Sequence, residues 1–283
     1  MKFKRFFLSV LKSALYVLLF FGAQFGVTIA LVLFLLMLSP ILVHLTGSPA
    51  FAQSIEQNMI AIVTVLSNTL FLCVLLLWFA ARGRSLSREV VWHRMPRAAL
   101  AVLGPIEVGF GASILASFAL TLLPVSEEIS NKYDESMQML SAADPIPLFL
   151  ATVIAAPIAE EVLFRGLVYT RLRSAVCRPA AALLSAVVFG LVHGTVLHLV
   201  YTIPMGLLLC IFYEKYRSLW APILMHMSFN LAGSLIGYYS LGHPLAFVIL
   251  LFIGIYLMGM GLYSVRWYRL ETAMPCADED EIG

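Results

Sequence analysis

The stretch PLFLATVIAAPIAEEVLFRGLVYT, residues 147–170, decides the fold. It is long and apolar enough to cross a bilayer, which takes about 20 residues as a helix. Yet it holds Glu160, Glu161 and Arg165. Each charged group inside a spanning helix costs about 2.5–3.5 kcal/mol on insertion scales, so such groups mark function or a satisfied partner. Adjacent helix positions point about 100° apart, so the two carboxylates cannot share one environment. Arg165 lies four residues after Glu161, on the same face and in the favourable order for an ion pair. Spacing therefore predicts that Glu161 is neutralised by Arg165, while Glu160 faces the interior of a helix bundle.

The rest of the chain supports a membrane setting. Of 283 residues, 61% are hydrophobic and 12% charged. A soluble domain of this size is about 45–50% apolar and about 25% charged, and this surplus has to face lipid. The predicted fold is all-α, a polytopic membrane protein of about eight transmembrane helices with a buried polar cavity. The spans are Leu15–Leu38, Met59–Ala80, Ala98–Leu123, Pro147–Thr170, Ala180–Leu197, Leu199–Tyr213, Leu219–Tyr239 and Pro244–Val265. The fifth and sixth nearly run together, interrupted by His193, Gly194, His198 and Pro204, and a tight turn is expected there. The start, MKFKRFF, resembles a signal peptide, but the apolar run to Val43 exceeds the roughly 7–15 residues of a signal core. It reads as a retained first span.

Basic residues gather in every second loop: Lys2, Lys4, Arg5 and Lys12; Arg82 to Arg97; Arg171, Arg173 and Arg178; Lys215 and Arg217; Arg266 and Arg269. By the positive-inside tendency this puts both termini in the cytoplasm. The pattern is that of a bacterial inner-membrane protein. The segment Pro124–Pro145 is acidic and expected outside, with a short surface helix over Ser126–Leu140. Arg82–Arg97 is expected along the interface, anchored by Trp92. The chain reads as one transmembrane domain, residues 1–283, with a core motif region at 147–239 and an acidic, disordered tail at 276–283. The basic clusters form no continuous face, which argues against nucleic acid as a partner. Cys73, Cys177, Cys210 and Cys276 show neither metal-ligand spacing nor a disulfide framework.

Two further polar pairs share helix faces: Phe189 with His193, and His226 with Asn230, each four residues apart. Glu160, His193, His226 and Asn230 could thus converge from three helices. A carboxylate and two imidazoles can hold a water and take its proton, and an amide or imidazole N–H can donate to an oxyanion. The same Glu, His, His set could hold a divalent metal such as zinc; spacing leaves both readings open. Plainer roles stand beside these: interhelical hydrogen bonding for a lone His or Asn, ring packing for Phe189, and structural duty for Glu107. His198 is expected near the outer surface. His44, His93 and His243 read as loop residues.

The three pieces, Glu160-Glu161-x-x-x-Arg165, Phe189-x-x-x-His193 and His226-x-x-x-Asn230, occur in this order on successive apolar spans. With EKYRSLWAPILMHMSFN at 214–230, they resemble the CPBP family of intramembrane proteases, also called the CAAX protease and bacteriocin-processing or Abi family. The resemblance covers about Pro147–Tyr239. It implies an intramembrane endopeptidase of eight spans, with a water-filled cavity open toward the cytosol. Glu160 would activate the water with help from His193. His226 and Asn230 would stabilise the oxyanion, with Glu161, Arg165 and Phe189 in support. The family has been described both as metalloproteases and as metal-free glutamate proteases. The metal-free form is favoured here, because an Asn completing the last motif suits a donor better than a zinc ligand; a metal form would use Glu160, His193 and His226. The implied partners are membrane lipid and a membrane-associated peptide or protein. Alternatives from other classes are a non-catalytic scaffold or bacteriocin-immunity protein bound to a membrane partner, and a proton-coupled transporter. One geometric demand follows from the spans. If the fifth begins at Ala180, His193 lies too far toward the outside to meet Glu160, so that helix has to start near Leu184 or tilt.

Overall fold

The computed structural model describes residues 2–83, 98–238 and 244–267. The protein is a polytopic all-α membrane protein. Among the described residues a helix occupies each expected span: α1 (Lys2–Thr46), α3 (Met59–Ala80), α4 (Ala98–Leu122), α6 (Pro145–Arg173), α7 (Arg178–Leu191), α8 (Val196–Tyr216), α9 (Trp220–Tyr238) and α10 (Pro244–Trp267). Two shorter helices lie between spans: α2 (Ala50–Gln57) and α5 (Glu127–Ser141). The second is the expected surface helix, displaced by one residue. Among the described residues, six helices are long and apolar enough to cross a membrane. The shorter α7 is not one of them, and neither is α9, which carries His226, Ser228, Asn230 and Ser234.

Several expected boundaries move. His44 lies in the last turn of α1 rather than in a loop, because the helix continues through Pro40. Pro204 sits inside α8 and does not interrupt it. The fifth helix starts earlier than expected, at Arg178, and stops at Leu191. Its 14 residues rise about 21 Å, less than the roughly 30 Å of hydrocarbon. The later start near Leu184 is not found; what ties His193 to the neighbouring helices is the Phe189 ring, which packs on both His193 and His226. The chain reverses through residues 192–195, where Gly194 takes a φ of +87° that suits glycine. Trp92, His93, His243 and the tail 276–283 lie outside the described residues.

Helix packing places the site. The α4 helix lies against both α9 and α10 along small residues. A methyl group on Gly109 would sit 2.3 Å from the Met225 carbonyl oxygen, and one on Gly261 2.8 Å from the Val108 nitrogen. Lipid gives no hydrophobic drive between helices, so close backbone approach of this kind supplies the association. On the other side α6 is wrapped by α1, α3, α7 and α9. Phe164, Leu163, Leu167, Phe71 and Leu75 are fully enclosed there.

Polar links pin the two ends of α6. At its start, Asp144 accepts from Asn58 Nδ2 at 2.8 Å and Gln57 Nε2 at 3.1 Å, and its N–H donates to Asn58 Oδ1 at 2.8 Å. At its far end, Glu214 of α8 pairs with Arg173 and accepts from the Tyr169 hydroxyl at 3.0 Å.

Candidate active site

The polar cluster is built around an irregular stretch of α6. Leu150–Ala155 and Val162–Tyr169 are wound as π-helix, flanking one and a half α-turns at Ala156–Glu161. Wide π-turns are uncommon and recur at functional sites. Here they bracket the two carboxylates.

Glu161 and Arg165 are both fully enclosed, and Arg165 Nη1 donates to Glu161 Oε1 at 2.8 Å. Three groups surround the guanidinium of Arg165: this carboxylate, the Gly206 carbonyl 3.3 Å from Nη2, and the Phe189 ring 4.5 Å beneath it, while its buried Nε has no hydrogen-bond partner. Gly206 is needed for this approach, because a methyl there would lie 2.9 Å from Ala186 Cβ on α7.

Glu161 does more than the spacing predicted. Its Oε1 also lies 2.9 Å from His226 Nδ1 on α9. The other ring nitrogen, Nε2, points to Glu160 Oε2 at 3.8 Å. A carboxylate thus fixes the imidazole on one side, and a second carboxylate stands on the other. Glu160 keeps 17% of its side chain exposed, whereas Glu161 keeps none. Of the two, Glu160 is the one a small molecule can reach.

His193 sits in the turn after α7. Its Nδ1 bonds the Phe189 carbonyl at 2.7 Å. A carbonyl only accepts, so Nδ1 carries the proton, and Nε2 of the neutral ring is an acceptor. The Phe189 ring joins the two histidines: its centroid is 4.7 Å from His193 and 5.8 Å from His226. On α9, Asn230 Nδ2 donates to the Thr152 carbonyl at 2.8 Å, within the first π-wound stretch. This leaves the second amide hydrogen for another acceptor.

The structure thus joins Glu160, Glu161, Arg165, Phe189, His193 and His226 by direct neighbours, and ties Asn230 to the same helix. Among the described residues no three of His, Cys, Asp and Glu come close enough together to hold a metal ion. Glu107 on α4 has a buried Oε2 without a hydrogen-bond partner. His198 is more engaged than expected: its Nδ1 is 2.5 Å from the Thr195 hydroxyl, and its ring packs on Tyr133 at 5.0 Å, Tyr201 at 5.7 Å and His193 at 6.2 Å. Tyr133 comes from the surface helix α5, where burial holds its phenol above the ordinary value. The sequence reading missed Thr152, Tyr133 and Glu214. Only Glu214 gave a signal, as a lone acid amid Arg171, Arg173, Arg178, Lys215 and Arg217.

Residues 142–232 match the family model described as type II CAAX prenyl endopeptidase Rce1-like. That description agrees with the CAAX protease (CPBP) family that the three motifs resemble, over about a third of the chain. Every member of the cluster, from Thr152 to Asn230, falls inside the matched segment. Over 103 residues the chain is 29% identical to a Bacillus subtilis (strain 168) protein named "Putative membrane peptidase YdiL". The aligned part is 36% of this chain and 42% of that relative, so the chain spans less than half of the relative's length. No solved structure matches the chain.

Proposed function

We propose that the protein is an intramembrane endopeptidase that hydrolyses a peptide bond of a membrane-associated peptide or protein. The observation that carries this is the placing of Glu160. Inside the matched segment its reachable carboxylate faces His226 Nε2 at 3.8 Å, and Glu161 holds the opposite ring nitrogen. A gap of that length is too long for a direct hydrogen bond and lets a water bridge the two from one side, at hydrogen-bond distance from each.

In this reading Glu160 removes a proton from a water that His193 Nε2 helps to hold. The hydroxide oxygen attacks the scissile carbonyl carbon. The resulting oxyanion receives N–H donors from His226 and from the free amide hydrogen of Asn230; each such donor contributes about 10²–10³ in rate. For Nε2 of His226 to donate, the ring carries a second proton, and Glu160 and Glu161 stand on either side of that charge. Collapse breaks the C–N bond, and Glu160 returns its proton to the leaving amine. Glu161, Arg165 and Phe189 position these groups. No step runs through a metal. We further infer a bacterial inner membrane location with both termini cytoplasmic, from the basic alternate loops.

Purified wild type and Glu160→Gln, incubated with membrane-anchored peptides with and without a strong chelator, test the reading by mass spectrometry. Cleavage by wild type alone, insensitive to chelation, is expected. Equal cleavage by the variant overturns the role of Glu160. Loss on chelation with recovery by zinc overturns the metal-free mechanism.

A further inference from the structure

His198 lies beside the catalytic cluster but has no part in the reaction above. Thr195 is the N-cap of α8, and its hydroxyl oxygen accepts the backbone N–H of His198 at 3.3 Å. The same hydroxyl lies 2.5 Å from His198 Nδ1. With its oxygen engaged as the acceptor of the cap, the hydroxyl donates its hydrogen to Nδ1. A neutral imidazole carries one N–H, so that of His198 is on Nε2. This is the reverse of His193, whose Nδ1 holds the proton. Among the described residues no hydrogen bond engages the Nε2–H of His198.

The ring is held in place. Tyr133 of α5 and Tyr201 of α8 pack on it, with centroids 5.0 and 5.7 Å away, and the two phenols pair with each other. The His193 ring is 6.2 Å away, centroid to centroid. Capping and packing explain these contacts without the Nε2–H. Thr195 caps the backbone whatever the side chain at 198, and a Phe would pack as well on two tyrosines. What they leave over is a fixed donor beside the imidazole that holds the attacking water.

A peptide bond presented for hydrolysis in a membrane has to leave its helical hydrogen-bond ladder. Each backbone carbonyl so freed costs several kcal/mol in hydrocarbon unless a donor meets it. An extended chain advances about 3.3 Å per residue, so the step from His193 to His198 covers about two residues. We propose that His198 Nε2–H binds a backbone carbonyl of the substrate, about two residues from the scissile bond. This rests on the endopeptidase reading, with His193 at the attacking water.

The tautomer is read without substrate. NMR of nitrogen-labelled histidines in the full chain, assigned with His193→Gln and His198→Gln, should show the proton of His198 on Nε2. A proton on Nδ1 overturns the proposal. Binding is read on Glu160→Gln, which should hold the anchored peptide of the cleavage test uncut. Adding His198→Phe should weaken that binding about tenfold, the loss of one hydrogen bond, and His198→Gln should restore most of it. Peptides with one carbonyl at a time reduced to methylene locate the contact. One analogue should bind about tenfold more weakly to Glu160→Gln, and no more weakly than the parent peptide once His198→Phe is added. In the active enzyme His198→Phe should raise KM about tenfold and leave kcat within about twofold. Unchanged binding in His198→Phe overturns the carbonyl contact alone, as does a loss that no single analogue reproduces. Full cleavage by Glu160→Gln overturns the endopeptidase reading beneath it.

Discussion

His226 and Arg165 meet at a single atom, Oε1 of Glu161, at 2.9 and 2.8 Å. One carboxylate oxygen therefore joins a buried cation to the imidazole that faces Glu160. The division of labour between the adjacent glutamates follows from this. Glu161 is committed to structure by two partners, and Glu160 is left partly exposed.

Glu161→Gln removes the charge but little volume. Arg165 is fully enclosed, and breaking a buried pair from one side costs about 3–5 kcal/mol, because the other charge is stranded. Chemical unfolding in mixed micelles should show a loss of that order. A change within about 0.5 kcal/mol would mean the pair contributes nothing. Glu161→Ala should be worse still, since it also frees the His226 ring.

Asn230 has two separable tasks. Its bond to the Thr152 carbonyl is an interhelical contact of the kind that contributes about 0.6–1.7 kcal/mol in membranes. Asn230→Ala should lose that much stability, and Asn230→Asp more, because a carboxylate would face a carbonyl. If the second amide hydrogen serves the oxyanion, Asn230→Ala lowers kcat about 10²–10³-fold with KM little changed. A fall in stability with kcat intact would leave Asn230 as a helix link alone.

Gly109 tests the packing that holds α9 in place. A methyl there would meet Ser228 Oγ at 2.0 Å and Met225 O at 2.3 Å. Gly109→Ala should therefore destabilise by about 1–3 kcal/mol, the usual cost of overpacking. Gly259→Ala is the control, since nothing lies within 4 Å of its added carbon. It should change stability by less than about 0.5 kcal/mol. Equal effects of the two substitutions on the unfolding midpoint would show that helix propensity, not close approach, governs both.

The hydrophobic spans were legible because lipid demands a long apolar run. The Glu161–Arg165 pair was legible because it lies within one helix turn. The bond from His226 to Glu161 was not, because it depends on how α6 and α9 cross. Nor was the end of α7: the apolar run continues past Leu191 toward His198, and the stop depends on the left-handed turn at Gly194. His44 was misplaced because Pro40, which usually ends a helix, is accommodated inside α1. The π-wound turns of α6 leave no mark in the spacing of apolar residues.

The link between Asp144 and Asn58 spans 86 residues of sequence and joins the start of α6 to the junction of α2 and α3. Asp144 holds the N-cap position of α6, yet its side chain makes no capping bond. The stability it contributes therefore comes from the cross-helix contacts. A double-mutant cycle on Asn58→Ala and Asp144→Ala should give a coupling of about 1.5–3 kcal/mol, the range for hydrogen bonds to a charged group. Gln57 keeps one bond to Asp144 in the Asn58 variant, so Asn58→Ala alone should cost less than Asp144→Ala alone. Neither residue neighbours the Glu160–His226 cluster, so peptide cleavage by the folded variants should match wild type. Additive unfolding energies in the cycle would show that the two residues act separately. A selective loss of cleavage in Asp144→Ala would instead show that the start of α6 sets the alignment of Glu160.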